Sequence, residues 1–400
     1  MGEGARGAAL DTACAVGPMT RRSLLAGAAG LLAAPARAAN DPFGPMGRPS
    51  WAADSLQAAA TRTGLTYGAE VPGFRFARDP AYRQAVAREA GMLVCGTEMK
   101  MEVVRPEPGK TDFAQADALV RFARGNGQRM RGHTLVWHEA LPPWVRPLLA
   151  RATAPQAEDF LRRWIETVAG RYRGQIASWD VVNEVLSQDG GGPEGLRESP
   201  WLTALGPGYV DLAFRILHEV DPKAAGCWNE DAVEQGVPWM EARRIRVLKR
   251  LEGMLARGVP IRRFGLQSHI TSTVPIDQGQ LRRFLREIGA MGLGIEITEF
   301  DIDDRAFPAD VATRDRKVAD LAKSYLEVVA AEPAVLNVMS WDLYDPDTWL
   351  NDHPYRKRPD GLPQRALPLD AQFKRKPLWH AMKAVFGRAP DHSAARAKLR

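Results

Sequence analysis

Two short runs hold the residues best suited to chemistry. Trp179-Asp180-Val181-Val182-Asn183-Glu184 and Ile297-Thr298-Glu299-Phe300-Asp301 each place a Glu at the C-terminal end of an apolar, β-branched stretch. Such stretches read as strands buried on both faces. An ionised Glu at the end of a buried strand is costly unless a site uses it. Glu184 and Glu299 stand 115 positions apart, so they converge only if both strands belong to one sheet. Converging carboxyls are the machinery of glycoside hydrolysis, one as proton donor and the other as nucleophile or base.

The elements that must position them alternate along the chain. Apolar runs predict strands at 65–71, 92–97, 130–136, 176–183, 224–229, 263–270, 293–300 and 335–342. Helical patterns fall between them at 81–90, 113–124, 157–172, 209–219, 240–257, 280–291 and 311–331, with a last one at 377–386. Asp79-Pro80 opens one helix, and Gly258 and Gly292 close others. This alternation predicts an α/β fold of one domain over 52–386, a (β/α)8 TIM barrel. An open doubly wound sheet would want a Gly-rich phosphate turn after an early strand, and 64–73 lacks G-x-G-x-x-G. Barrel enzymes carry their chemistry at the C-terminal strand ends. Those ends here hold Glu98 and Lys100, then His133, Trp137 and His138, then Asn183 and Glu184. Asn229, Gln267, His269, Glu299 and Trp341 follow at later ends. Any one could be packing, but helices show no such accumulation.

The ends of the chain read differently. Met19-Thr20-Arg21-Arg22-Ser23-Leu24-Leu25 opens a twin-arginine motif, residues 23–36 carry no charge, and Ala36-Arg37-Ala38 offers a cleavage site. Residues 1–38 are therefore expected to be an export signal, with Met19 a possible start, delivering a periplasmic or secreted protein. The apolar stretch is too short to span a bilayer, so no stable membrane anchor is expected. Residues 39–51 read as a lead-in and 387–400 as a frayed, disordered tail. Three cysteines are too few for a disulfide scaffold, and Cys95 and Cys227 are expected as buried free thiols. No C-x-x-C or H-E-x-x-H motif calls for a metal, and no feature calls for a cofactor. The net charge of +6 is spread without long like-charge runs, which argues against nucleic acid as a partner. A monomer acting on a saccharide is expected.

The motifs resemble those of glycoside hydrolase family 10, the retaining endo-β-1,4-xylanases. Arg131-Gly132-His133-Thr134-Leu135-Val136-Trp137-His138 is similar to the family's third-strand signature, and 179–184 to its acid/base signature. Gly265-Leu266-Gln267-Ser268-His269 resembles its sixth strand, and 297–301 its nucleophile strand. Trp341, Asp345-Pro346-Asp347-Thr348-Trp349 and Lys376-Pro377 complete the order. The resemblance covers about residues 60–386. It implies Glu184 as general acid/base and Glu299 as nucleophile. It implies Asn183 on the 2-hydroxyl of the reacting sugar and His269 as the group orienting the nucleophile, with Gln267 beside it. Lys100, His133, Trp137, Gln267, Asn229, Trp341 and Trp349 are implied as substrate-binding residues. The implied activity is hydrolysis of xylan or xylo-oligosaccharides. The same mechanism on another or decorated β-glycan is an alternative, as is a saccharide-binding barrel without catalysis.

The chain departs from the family where the next sugar on the non-reducing side is held. Gly96 and Thr97 stand where the resemblance expects Glu and Asn, Met101 where it expects Trp, and Ala140 where it expects Gln. Asn229-Glu230-Asp231 replaces Asn-Asp-Tyr. Several hydrogen bonds at about 1 kcal/mol each are then missing, so long linear xylan should bind weakly. Restoring Glu at 96 and Asn at 97 is expected to raise kcat/KM on linear xylo-oligosaccharides by roughly tenfold or more.

Overall fold

Each apolar run becomes a strand because a parallel sheet covered by helices buries both of its faces and satisfies its backbone. The computed structural model describes residues 41–399, and the expected export signal at 1–38 lies outside them. The strands are β1 (Thr66–Val71), β2 (Met92–Cys95), β3 (Arg129–Gly132), β4 (Ile176–Asn183), β5 (Ala225–Glu230) and β6 (Ile261–Leu266). They continue with the short β7 (His269–Thr271), then β8 (Gly294–Asp303) and β9 (Val335–Ser340). The eight main strands pair in parallel from β1 to β6, then β8 and β9. β9 pairs back onto β1, Thr66 opposite Asn337, which closes the (β/α)8 barrel.

Helices cover the outside with one apolar stripe each. Asp79 caps the helix Pro80–Glu89 by accepting from the N–H groups of Ala81 and Tyr82 at 2.9 and 3.1 Å. The helix Tyr209–Val220 buries Val210, Ala213, Phe214, Ile216 and Leu217 against β4 and β5. Truncating Phe214 would remove about 3–5 kcal/mol. Inside the barrel the filling is partly ionic. Arg131 of β3, wholly buried, donates from Nε to Glu296 of β8 at 2.8 Å and from Nη1 to Asp180 of β4 at 2.6 Å. The Ser178 hydroxyl adds a bond to Glu296 at 2.9 Å. Losing one partner of such a cluster costs about 3–5 kcal/mol. The cluster also fixes Asp180, which matters for the site above it. Cys95 and Cys227 are buried free thiols, as expected.

Three expectations need correction. The tail expected to fray at 387–400 instead forms the helix Ser393–Lys398. Arg396 ties it down by donating to Thr66 Oγ1 at 2.7 Å and to the Gly64 carbonyl at 2.6 Å, and buried His392 bonds the Ala330 carbonyl at 3.0 Å. The third strand stops at Gly132 rather than 136, because its register with β4 shifts and Leu135 and Val136 rejoin β4 farther along. The sixth strand, expected unbroken to 270, ends at Leu266. Ser268 has φ +67°, and β7 after it pairs only with the extension of β8 to Asp303.

Candidate active site

The C-terminal strand ends surround a cleft of about 1120 Å³. Glu184, the residue after β4, has φ +53° and turns its carboxyl inward. That carboxyl accepts from Gln267 Nε2 at 2.8 Å, Trp137 Nε1 at 3.1 Å and Asn183 Nδ2 at 3.2 Å. Glu299, within β8, accepts from Asn229 Nδ2 at 2.7 Å and faces His269 Nε2 at 3.2 Å. Asn229 Nδ2 also bonds Asn183 Oδ1 at 2.9 Å. Two buried amides thus join the two carboxyls into one hydrogen-bonded cluster.

Their environments push the two acids apart. Burial, then the charges of Asp231 and Glu299, raise Glu184 to about 7. Burial would raise Glu299 as well. The His269 hydrogen bond, the charges of His133 and His269 and the Asn229 amide overcome it and hold Glu299 at about 2. His269 is buried, which disfavours its cation, but Asp301 at 3.0 Å and Glu299 raise it to about 10. One carboxyl is therefore proton-bearing and the other ionised near neutral pH.

The supporting residues fall into place around this pair. His133, just past β3, is fixed by Asp180 Oδ2 at 2.8 Å, the same carboxyl that takes Arg131. Lys100 lies 4.8 Å from the Trp137 ring centroid. Trp341 and Trp349 line the cleft on either side of His269, and Trp349 Nε1 donates to Asp301 at 2.7 Å. Lys100, His133, Trp137, Asn183, Glu184, Gln267, His269, Glu299, Trp341 and Trp349 all reach the cleft.

One expected role changes. Asn229 was expected to touch substrate, but it is wholly buried beneath the cleft and bridges Glu299 to Asn183, with its own oxygen taken by Thr298 Oγ1 at 2.7 Å. Gln267, expected beside His269 and on the substrate, lines the cleft, and its amide also bonds Glu184. Position 96 is also not the open space the sequence implies. A Cβ there would lie 1.9 Å from Glu70 Oε1, so a larger residue at 96 cannot be added while Glu70 keeps its place. The expected gain from Glu at 96 therefore requires the Glu70 carboxyl to move aside.

Residues not anticipated as site members also meet here. Glu70 of β1 and Asp342 after β9 line the cleft. So does Asp231, anchored by Arg243 Nη2 at 2.6 Å. Asp301, within the quoted motif, had no role assigned. The exposed rings of Phe74 and Trp239 line the cleft after β1 and after β5. An acid inside an otherwise apolar strand was the available signal for Glu70.

Comparison with known proteins supplies the context. The description Glycosyl hydrolase family 10 matches residues 55–385. The chain is 32% identical over 287 residues to a beta-1,4-xylanase of Dictyoglomus thermophilum, covering 70% of this chain and 78% of that protein. It is 31% identical over 329 residues to endo-1,4-beta-xylanase C of Paenibacillus barcinonensis, covering 76% of this chain. It spans only 29% of the length of that relative. Among solved structures, native xylanase 10B of Thermotoga maritima superposes with a TM-score of 0.74 at 28% identity, over 83% of this chain and 98% of that one. Xylanase 10B of Thermotoga petrophila, solved with xylobiose, matches equally well, with a TM-score of 0.74 at 28% identity over 83% of this chain and 97% of that one.

Proposed function

The chain belongs to glycosyl hydrolase family 10, and we propose that it is a retaining endo-β-1,4-xylanase acting through Glu184 and Glu299. The observation that carries this is the pair itself: two carboxyls in one hydrogen-bonded cluster, held at about 7 and about 2. Ionised Glu299 attacks the anomeric carbon while Glu184 protonates the leaving oxygen. Forming the glycosyl ester removes the charge of Glu299, one of the influences that raise Glu184. Glu184, its proton gone with the leaving group and its pKa lowered, stays ionised and takes a proton from the water that releases the product. His269 and Asn229 hold Glu299 in place. Asn183, His133 and Lys100 present hydrogen-bonding groups to the reacting sugar between Trp341 and Trp349. The open cleft, with Phe74 and Trp239 lining it beyond the pair, suits internal attack on a chain.

The test is a panel of xylan, arabinoxylan, β-glucan and short xylo-oligosaccharides with products resolved by length. Mixed xylo-oligosaccharides released early from xylan are expected. Single xylose units as the only early product, or activity on β-glucan alone, would contradict the reading.

The same proposal places the protein outside the cytoplasm, which rests on the sequence of residues 1–38. Fusing those residues to a reporter tests it. Export that stops when Arg21 and Arg22 are both changed to Lys supports the twin-arginine route, and export indifferent to that change refutes it.

A further inference from the structure

Two buried acids on one side of the cleft are left without work by the mechanism. Glu70 is 5% exposed and Asp342 2% exposed, and both line the cleft. The Glu70 carboxyl makes no hydrogen bond among the described residues, although Lys100, Asp342 and Glu98 act on it through their charges. Asp342 uses Oδ1 for the Tyr82 hydroxyl at 2.8 Å and the Leu343 N–H at 2.5 Å, while its Oδ2 is buried with no partner among the described residues. Glu98, by contrast, is occupied by the N–H groups of Gly73 and Thr97 and by the Thr97 hydroxyl, at 2.9 to 3.1 Å. An unpaired carboxyl in a buried setting is costly, and a ligand hydroxyl entering the cleft beside it would offset that cost.

The position of the pair says which part of a ligand it meets. Glu184 follows β4 and its N–H bonds the Asn229 carbonyl of β5, two residues before Asp231, so the proton donor sits toward that end. The charges acting on Glu70 include Glu299. A proton donor stands beside the leaving oxygen, so the departing chain runs toward Asp231. The retained chain runs the other way, toward β1, β2 and β9. Glu70 fills the space that a side chain on Gly96 would take, with Oε1 1.9 Å from that Cβ position. β1 therefore supplies a carboxyl where β2 supplies none.

We propose that Glu70 and Asp342 bind the hydroxyls of the sugar next to the reacting one on its non-reducing side, and so determine how strongly a second retained sugar contributes to the reaction. Two buried carboxyls that act on each other through their charges tend to share a proton, so one accepts and the other donates. That matches neighbouring sugar hydroxyls, each of which can do both. A cationic ligand is disfavoured because Lys100 already lines the same end. This inference rests on the glycosidase reading above, and its test separates the two.

The experiment compares an aryl β-xyloside with the aryl β-xylobioside of the same leaving group, which differ only in the second retained sugar. The readout is the ratio of kcat/KM on the xylobioside to that on the xyloside. In Glu70→Ala the ratio is expected to fall at least tenfold, with a smaller fall in Glu70→Gln, which keeps an acceptor. Asp342→Asn, which suits the φ of +71° at that position, should also lower it. A merely structural role would change both substrates together and leave the ratio alone. Melting temperatures of each variant identify any that misfold, and Glu70→Gln stands in if Glu70→Ala does. A ratio unchanged in the folded variants overturns the inference. A parent protein that cleaves neither substrate overturns the glycosidase reading instead.

Discussion

At Glu184 the proton needed by the leaving group is retained by burial first and by the charge of Asp231 second. The free enzyme then loses its acid as pH rises through about 7, and kcat/KM should drop about tenfold per pH unit above it. Glu299, held at about 2, stays ionised down to strongly acidic pH. Removing the negative charge in Asp231→Asn stabilises ionised Glu184, so the alkaline limb must move to lower pH. A pH profile of kcat/KM for both forms checks this. An unmoved limb, or one moved upward, would show that Asp231 does not act on Glu184. The catalytic pair was legible in the sequence because an acid that ends an apolar strand is costly to bury unless a site uses it. The amides were legible only as positions. Asn229 and Gln267 each end a strand, but which way an amide turns depends on packing around Thr298 and Asn183, which no local pattern reports.

At the scale of elements, the long apolar runs were readable and the breaks within them were not. β4 matched its expected span, Ile176–Asn183. β3 and β6 were overrun because apolar residues resume a few positions on, at Leu135-Val136 and at Ile270, although β3 ends at Gly132 and Ser268 takes a positive φ after β6. Short helices such as Gly73–Arg78 and Pro200–Leu205 lack the length for a periodic signal. The C-terminal helix was missed for another reason. Its Ser-Ala-Ala-Arg-Ala-Lys sequence is rich in helix formers, but composition alone suggested a solvated tail. What decides the matter is tertiary: Arg396 reaches backbone and side-chain oxygens at the start of β1. Glu70 is the same lesson in a strand. Its position in β1 was plain, whereas its occupation of the space beside Gly96 depends on β1 lying in register with β2, Val71 opposite Cys95.

For the whole molecule, closure of the barrel is what makes the chemistry possible. Pairing of β6 with β8 and of β9 with β1 brings residues from 70 to 356 around one cleft, with an ionic layer of Arg131, Asp180 and Glu296 beneath it. The central claim is that the two acids on this frame act in succession, with Glu299 forming a bond to the sugar. The configuration of the first product tests that most directly. Proton NMR of a xylo-oligosaccharide digest, recorded before mutarotation, should show the newly formed reducing end appearing first as the β-anomer, because two displacements restore the starting configuration. First appearance of the α-anomer would mean a single displacement by water, and would contradict Glu299 as the nucleophile.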